Sequence, residues 1–390
     1  MDTCDVLIVG GGPAGSSCAW SLRDSGLRVA ILDKAVFPRD KVCGGWITPQ
    51  ALDELKIQPA DYARGRVFQS ITGFRVGSMG GRELETHYSA PVSYGIRRCE
   101  FDDYLLRRSG AQLLLGRPFT SLERSRGEWI VNHSIRTPML VGAGGTFCPV
   151  ARFLGAKVNR ETVVAAQEVE FAVDSRQAAE CAVRAEIPEL YFCPDMKGYG
   201  WCFRKQNVLN IGLGRMDAHG LAGHVSDFLK YLRKRERLRI EPIPPMHGHA
   251  YLLYGRTPRN LVDEGVLLIG DAAGLAYSQS GEGIRPAIES GLLAAQAISA
   301  AQGIYSPERM EPYRDRLVKR FGKAESHWAT RIGSHLPTAA ITFLARHLLS
   351  REWFTRGVVL DRWFLHREEA ALGTSTGSPV SNRPEASHAI

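Results

Sequence analysis

The start of the chain alternates between short apolar runs and a glycine-rich break. The apolar run at residues 6–9 ends in three spaced glycines, a helical stretch covers residues 14–25, and a second apolar run at residues 29–32 ends at Asp33. Short apolar runs bounded by glycine predict buried strands, and the stretch between them is long enough for a helix. We therefore predict a strand, a turn, a helix and a second strand.

Two later apolar runs, at residues 139–146 and 266–274, also end in glycine-rich turns, and glycines at residues 281–283 open a helix that reaches about residue 301. Between them, residues 163–173 alternate in polarity, with Val169, Phe171 and Val173 on one side of a half-buried strand. Residues 199–203 and 208–213 have the pattern of a hairpin. From residue 310 onward the pattern is helical up to a polar tail.

The patterns together predict an α/β fold with a discontinuous Rossmann-type domain and an inserted antiparallel β-sheet domain. The Rossmann-type domain takes residues 1–64, 96–160 and 256–309, and the β-sheet domain, which would hold the substrate, takes residues 65–95 and 161–255. Residues 310–372 form a helical C-terminal region, and residues 373–390 form a disordered tail.

The first glycine turn has the spacing of a dinucleotide-binding site. Gly10 allows a tight turn, Gly12 lets a pyrophosphate approach the backbone, and Gly15 lets the helix pack closely on the strand. The helix N-terminus offers free N–H groups to phosphates, and Asp33 is placed to accept hydrogen bonds from a ribose. This motif alone leaves NAD and FAD open as the dinucleotide.

The second glycine–acid turn favours a flavin. Gly270 and Asp271 end a buried strand, and the helix that follows Gly283 would direct its N-terminus at the pyrimidine edge of the flavin. A helix dipole stabilises negative charge at that position.

The motifs as a set resemble the geranylgeranyl reductase family of FAD-dependent oxidoreductases and, more distantly, monooxygenases of the para-hydroxybenzoate hydroxylase type. The resemblance implies a Rossmann-type FAD-binding domain and FAD as the cofactor, with NAD(P)H or another reductant as electron donor. It also implies a set of cofactor-binding residues: Gly10, Gly12, Pro13, Ala14, Gly15, Asp33, Lys34, Cys43, Gly44, Gly45, Arg98, Gly270, Asp271, Gly281, Gly283 and Ile284.

Two stretches favour the reductase branch of this family: the loop at residues 41–45 and the aromatic residues Tyr199, Trp201 and Phe203. Strand alternation puts these aromatics on one face of a sheet, where, together with Trp46, they would line a pocket for a long apolar substrate. The expected reaction is reduction of carbon–carbon double bonds in a polyprenyl or other lipid-like substrate. Cys43 and Tyr199 are the candidate catalytic residues, as proton donors.

Two alternatives stay open at this point. One is a flavin monooxygenase that hydroxylates an aromatic or alkylated phenolic compound, although residues 142–146 lack the Asp-Gly pair that such enzymes commonly carry. The other is a flavin-containing lipid-binding protein without turnover.

Charge and composition suggest the surroundings in which the protein works. Residues 314–367 carry eleven Lys or Arg against four acids, mixed with aromatic residues that include Trp328, Phe343, Trp353 and Phe364. This composition is typical of an element that meets an anionic membrane surface, and equally of a helical lid over the flavin domain. We predict no nucleic-acid partner and no metal site, and a cytoplasmic protein, because the eight cysteines form no Cys-x-x-Cys pair and the N-terminus shows no secretory signal.

Overall fold

The computed structural model describes residues 1–156, 161, 163–256, 259–322 and 338–372. The predicted tail at 373–390 and Trp328 lie outside the described residues. In the described part of the chain, no helix is long and apolar enough to cross a membrane.

A six-stranded sheet, here called the parallel sheet, organises the first fold unit. Its strands, in spatial order, are Val262–Asp263, Val266–Leu268, Met139–Gly142, Val6–Val9, Val29–Asp33 and Gln112–Leu115, all parallel except the first. The central strands are fully buried because helices cover the sheet, with Pro13–Leu22 packed against Ile284–Ala300. The α/β, Rossmann-type fold predicted from the sequence is confirmed.

A seven-stranded sheet, here called the large sheet, lies beside it. Its strands, in spatial order, are His247–Leu252, Val163–Ala172, Val208–Arg215, Gly198–Lys205, Glu189–Phe192, Gly73–Ser78 and Glu83–His87. All neighbours pair antiparallel except Glu189–Phe192 and Gly73–Ser78. One face packs against helix Leu221–Lys234 through an apolar cluster that includes Phe228.

The opposite face of the large sheet is buried too, and the half-buried strand predicted at residues 163–173 has most of its buried positions on this face, not on the face of Val169, Phe171 and Val173. Val164, Ala166 and Glu168 lie on this face and are buried, and Val169 on the other face is buried as well. The C-terminal residues and the loop after Asp33 cover this second face, because Phe364 and Trp46 belong to the same apolar cluster as Ala166.

Smaller elements complete the described chain. A three-stranded sheet contains Trp46–Ile47, Ser93–Ile96 and Phe68–Ile71, and a four-stranded sheet contains Asp2–Thr3, Ile135–Thr137, Glu128–Val131 and Leu122–Ser125. The remaining helices are Pro49–Glu54, Pro59–Tyr62, Arg98–Arg108, Pro149–Phe153, Ser175–Ala179, Pro307–Phe321, Thr338–Leu349 and Glu352–Phe354, with a 3-10 turn at Gly270–Ala273 and a π-helix at Thr355–Phe364.

Candidate active site

A cavity of about 760 Å³ lies between the carboxyl ends of the parallel strands and the inner face of the large sheet. This volume is in the upper part of the range of cofactor and ligand sites. All the cofactor and substrate residues predicted from the sequence border it, except Gly15 and Gly270. The cavity brings together residues that lie more than 200 positions apart in the chain.

Gly10 and Gly15 of the first turn are required by close backbone contacts, whereas Gly12 is not. Gly10 has a φ of +118°, and a Cβ atom on it would lie 2.3 Å from the carbonyl oxygen of Ala143. A Cβ on Gly15 would lie 2.0 Å from the carbonyl oxygen of Gly10, so Gly15 serves helix–strand packing beneath the cavity. A Cβ on Gly12 would meet nothing nearer than 3.6 Å. The backbone at Gly12 is therefore open to the cavity, as a bound pyrophosphate requires.

Asp33 stands at the end of the second parallel strand and closes this turn. Its carboxylate accepts hydrogen bonds from the backbone N–H groups of Gly11 at 2.7 Å and Ala35 at 2.8 Å. The carboxylate is thus held in one orientation at the cavity edge, with Lys34 beside it. A carboxylate fixed in this way can accept further hydrogen bonds from ribose hydroxyls.

The second glycine–acid turn meets the helix that begins at Ile284. A Cβ on Gly283 would lie 3.2 Å from Oδ1 of Asp271, so the strand end and the helix start are in contact. Gly270 lies beneath the cavity, where its N–H donates to Ser290 at 2.9 Å. The first residues of this helix border the cavity at Ile284 and Ala287, so the positive end of the helix dipole lies at the cavity wall.

Glu282 lies next to this helix start and was missed in the sequence. Its carboxyl accepts the N–H of Arg285 at 2.8 Å. Burial raises the pKa of Glu282 to about 7, against the lowering effect of that hydrogen bond.

Arg98 lies in the cavity wall as a fixed cation. It donates two hydrogen bonds to Asp102, at 2.8 and 2.9 Å, and Arg39 approaches the same carboxylate at 3.2 Å. Burial lowers the pKa of Arg98, but the charge of Asp102 and the interaction with Cys43 outweigh it and raise that pKa above its usual value. A guanidinium so placed is suited to an anionic group in the cavity.

The loop that carries Cys43 runs between the cofactor turn and the large sheet. Gly45 has a φ of +63°, and a Cβ on it would lie 2.2 Å from the carbonyl oxygen of Ile96. Asn210 donates to the carbonyl oxygen of Cys43 at 3.2 Å and accepts from Nε1 of Trp201 at 2.7 Å. The loop is therefore attached to the aromatic face by a hydrogen-bonded bridge.

Aromatic rings form the wall opposite the glycine turn. Tyr199 and Trp201 lie 5.9 Å apart between ring centroids, and Trp46 lies 6.4 Å from Phe203. Phe364 joins them, stacked on Trp46 at 5.7 Å and edge-on to Tyr199 at 5.4 Å. Phe364 comes from the C-terminal π-helix, and no motif in the sequence predicted its place in this wall.

Tyr199 is held by the loop that precedes the second helix. Its hydroxyl donates to the carbonyl oxygen of Ser280. Burial, followed by the charge of Tyr251, raises the pKa of Tyr199 well above its usual value. The phenol is neutral, and its proton is already engaged with a backbone acceptor.

Three further polar residues line the cavity and were not predicted as site residues from the sequence: Glu168, His249 and Tyr251. Glu168 and His249 occupy paired strands, Val163–Ala172 and His247–Leu252, and Oε2 of Glu168 and Nδ1 of His249 are buried without a hydrogen-bond partner in the described structure. Burial, with help from Lys41, lowers the pKa of His249 to about 4. The alternation of residues 163–173 was the available signal for Glu168, since it places Glu168 on the other face of the sheet from Val169.

The C-terminal segment, residues 338–372, packs over the aromatic wall. Tyr88 donates to Asp361 at 2.9 Å, and Leu349, Leu360 and Phe364 enter the apolar cluster of the large sheet. Beyond the π-helix, buried Arg285 donates to the backbone carbonyls of Glu369 at 2.8 Å and Ala370 at 3.3 Å. The segment thus covers the aromatic wall and contacts the helix Ile284–Ala300.

Comparison with known proteins extends over most of the chain. A family model described as FAD dependent oxidoreductase matches residues 5–85. A menaquinone reductase from Mycobacterium tuberculosis is 31% identical over 328 residues, which cover 77% of either chain. A geranylgeranyl diphosphate reductase from Rhodobacter capsulatus is 29% identical over 351 residues, covering 82% of this chain and 81% of the relative.

The fold has a close match among solved structures. A geranylgeranyl bacteriochlorophyll reductase-like protein from Thermoplasma acidophilum superposes with a TM-score of 0.75 at 23% identity, covering 94% of this chain and 98% of the other. The chain belongs to the geranylgeranyl reductase family of FAD-dependent oxidoreductases, and it is an FAD-dependent enzyme.

Proposed function

We propose that the enzyme reduces carbon–carbon double bonds in a polyprenyl or other lipid-like substrate. The observation that carries this proposal is the wall of aromatic rings, Trp46, Tyr199, Trp201, Phe203 and Phe364, on the side of the cavity that faces the loop of Cys43. A wall of this kind favours a long apolar chain over a small polar metabolite. Two relatives are named for menaquinone and geranylgeranyl diphosphate, which both carry prenyl chains.

FAD would bind along the opposite side of the cavity. In this proposal its pyrophosphate lies on the turn of Gly10, Gly12 and Pro13 and on the N-terminus of the helix that includes Ala14 and Gly15, and its ribose meets Asp33. Arg98, Asp271, residues 43–45 and the helix start at residues 281–284 would hold the rest of the cofactor, since they line the same cavity. The residues fit the group, because the open backbone at Gly12 and the fixed cation of Arg98 suit an anionic dinucleotide.

Reduced FAD supplies a hydride for such a reaction. The chain's own residues bind the substrate tail, exclude water and provide the proton. Cys43 and Tyr199 are proton donors proposed from the sequence, and the bond from Tyr199 to Ser280 makes Tyr199 the less available of the two. NAD(P)H or another reductant would return the flavin to its reduced state.

The outer surface of the C-terminal segment is suited to an anionic membrane. Phe343 and Trp353 have 74% and 66% of their surface exposed, beside Arg346 and Arg351. Aromatic residues enter the boundary of a bilayer while arginines meet lipid phosphates. Sedimentation with anionic and with zwitterionic vesicles tests this: we expect retention on the anionic vesicles and loss of it in Phe343→Ser/Trp353→Ser.

The reaction is tested with purified enzyme under anaerobic conditions. The flavin is reduced, menaquinone or geranylgeranyl diphosphate is added, and the extracted lipid is analysed by mass spectrometry. A mass gain of two hydrogen atoms per saturated double bond is the expected result. Gain of an oxygen atom in the presence of air would identify a monooxygenase instead, and lipid binding without any product would identify a lipid-binding flavoprotein.

A further inference from the structure

Glu168 is a buried carboxyl that no step proposed so far uses. Only 2% of its surface is exposed, it borders the cavity, and its Oε2 has no hydrogen-bond partner in the described structure. An unpartnered buried polar atom is costly, so its retention calls for an explanation in terms of a bound group or a reaction.

The sheet places Glu168 directly beside the aromatic wall. Gly212 pairs with Glu168 on one side and with Trp201 on the other. A Cβ on Gly212 would lie 2.3 Å from the ring of Trp201 and 2.5 Å from Cβ of Glu168. The missing side chain at Gly212 therefore brings the carboxyl and the indole together on the cavity face.

The same face connects Glu168 to the loop of Cys43. Asn210 bridges the indole nitrogen of Trp201 and the carbonyl oxygen of Cys43, and Gly44 lies against Trp201, since its Cβ would be 3.7 Å from that nitrogen. Glu168 thus stands where the apolar wall meets the loop proposed to help hold the cofactor.

Burial keeps this carboxyl protonated near neutral pH, against the net effect of the charges around it. Burial raises the pKa of Glu168 to about 8, a rise that Glu170 of its own strand reinforces. Lys205 of the hairpin strand, Lys41 of the loop and Arg98 of the helix act in the opposite direction. Lys205 forms an ion pair with Glu170 at 2.6 Å, so its positive charge is shared between Glu170 and Glu168.

The other titratable groups around Glu168 do not compete for its proton near neutral pH. His249 is uncharged because its pKa is lowered, and burial raises the pKa of both Tyr199 and Tyr251. The proton of Tyr199 is engaged with Ser280, whereas the carboxyl of Glu168 has an oxygen without a partner. Of these groups, Glu168 is a neutral acid free to face a substrate.

We propose that Glu168 is the proton donor to the substrate carbon during double-bond reduction, an inference that rests on the proposed reductase function. The O–H bond of Glu168 breaks and a C–H bond forms at one alkene carbon. The hydride from reduced FAD forms the C–H bond at the other carbon, and the π bond is lost. Glu168 becomes a carboxylate and regains its proton from water, while a nicotinamide nucleotide or another external reductant reduces the FAD again.

The test compares the wild-type enzyme with Glu168→Gln, which keeps the shape of the neutral carboxyl. Infrared spectroscopy without substrate comes first. We expect the wild-type spectrum to contain a protonated-carboxyl band that fades as pH rises through about 8, and subtraction of the Glu168→Gln spectrum separates this band from those of other buried acids such as Glu282. Absence of such a band in the wild type at neutral pH overturns the proposal without reference to turnover.

The second measurement is reoxidation of the reduced flavin by menaquinone or geranylgeranyl diphosphate without oxygen. We expect the wild-type rate to fall above about pH 8, and Glu168→Gln to be about 100-fold slower or more, without that pH limb. Glu168→Asp keeps an ionisable carboxyl and should therefore give an intermediate rate that still falls at high pH. Flavin content and thermal unfolding establish that each variant is folded.

The outcomes separate the two proposals. If the wild type reduces the substrate and Glu168→Gln does so within a few-fold of the same rate, Glu168 is not the donor and the reductase function stands. If Cys43→Ala or Tyr199→Phe abolishes the step and Glu168→Gln does not, the donor is the residue proposed from the sequence. If the wild type reduces neither substrate, the proposed function fails and this inference fails with it.

Discussion

The two sides of the cavity are built in opposite ways. The side proposed for the cofactor is made largely of backbone, because glycines at residues 10–12 and 281–283 bring the main chain to the cavity wall. The substrate side is made of side chains that come from five separate parts of the chain, around Trp46, Glu168, Trp201, His249 and Phe364. A site made of backbone needs a short local motif, whereas a site made of side chains depends on tertiary contacts.

The difference also predicts how each side tolerates change. Backbone that approaches another backbone atom at about van der Waals distance leaves no room for a Cβ, and neither partner can move aside. A side-chain wall can repack within limits. The cofactor side should therefore fail abruptly on small changes, and the substrate side gradually.

The largest effect is expected for Gly15→Ala. The added Cβ would lie 2.0 Å from the carbonyl oxygen of Gly10, inside the turn itself. We expect a loss of stability of about 3 kcal/mol or more, together with loss of bound flavin. Thermal unfolding and the visible flavin spectrum measure both.

The matched control is Gly223→Ala, in helix Leu221–Lys234, where a Cβ would meet nothing within 4 Å. It should be neutral or slightly stabilising, because alanine is the better helix residue. Full flavin content in Gly15→Ala would contradict the view that this turn tolerates no side chain.

The pH dependence of stability compares one buried acid from each side. Burial raises the pKa of Glu282 from 4.5 to about 7 and that of Glu168 from 4.5 to about 8. A raised native pKa means that the folded protein holds a proton which the unfolded chain has released. Its contribution to stability is therefore complete below about pH 4.5 and is lost as pH rises through the native pKa.

Denaturant unfolding of the flavin-free protein between pH 4.5 and 8 checks this. Each acid should contribute a fall of up to about 1.4 kcal/mol per pH unit within its window. The free energy of unfolding should change less with pH in the variants: up to about pH 7 in Glu282→Gln and up to about pH 8 in Glu168→Gln. Identical curves for wild type and both variants would show that neither carboxyl is protonated in the native state.

A glycine on the substrate side gives a smaller, functional effect. In Gly212→Ala the new Cβ would lie 2.3 Å from the ring of Trp201 and 2.5 Å from Cβ of Glu168, so the ring has to turn aside and the strand of Glu168 has to shift slightly. We expect the protein to keep its flavin and to lose turnover by about tenfold or more, a barrier increase of about 1.4 kcal/mol.

Gly214 offers the control on the same strand and face, since a Cβ there would meet its nearest atom, the hydroxyl of Tyr251, at 3.5 Å. Gly214→Ala should retain most of its activity. Flavin loss in Gly212→Ala would contradict the expectation that a change on the substrate side leaves flavin binding intact.

The smallest effect on turnover is expected for Tyr199→Phe, which removes the hydrogen bond from the Tyr199 hydroxyl to the carbonyl oxygen of Ser280. The carbonyl of Ser280 would lose the donor it has from Tyr199. An unsatisfied buried acceptor costs about 1–3 kcal/mol, so the melting temperature should fall by a few degrees. Flavin reoxidation by substrate should change only a few-fold, and a collapse of that rate would restore Tyr199 as proton donor.

The sequence predicted the cofactor side far better than the substrate side. Gly10, Gly15 and Asp33 could be assigned from spacing alone, because a tight turn constrains residues that are neighbours in the chain. Glu168 was overlooked because a polar residue opposite Val169 has the pattern of a solvent-facing position. Phe364 could not be assigned, since only tertiary packing brings a residue near the C-terminus onto Trp46.

The contacts of Arg285 set an order for protein synthesis. This guanidinium is buried in helix Ile284–Ala300, which begins at the cavity, and besides Glu289 its acceptors are backbone carbonyls of residues 366–370. While the ribosome still holds those residues, the arginine lacks the acceptors that make its burial tolerable. The N-terminal glycine turn can form early in translation, but the completed active site has to wait for the end of the chain.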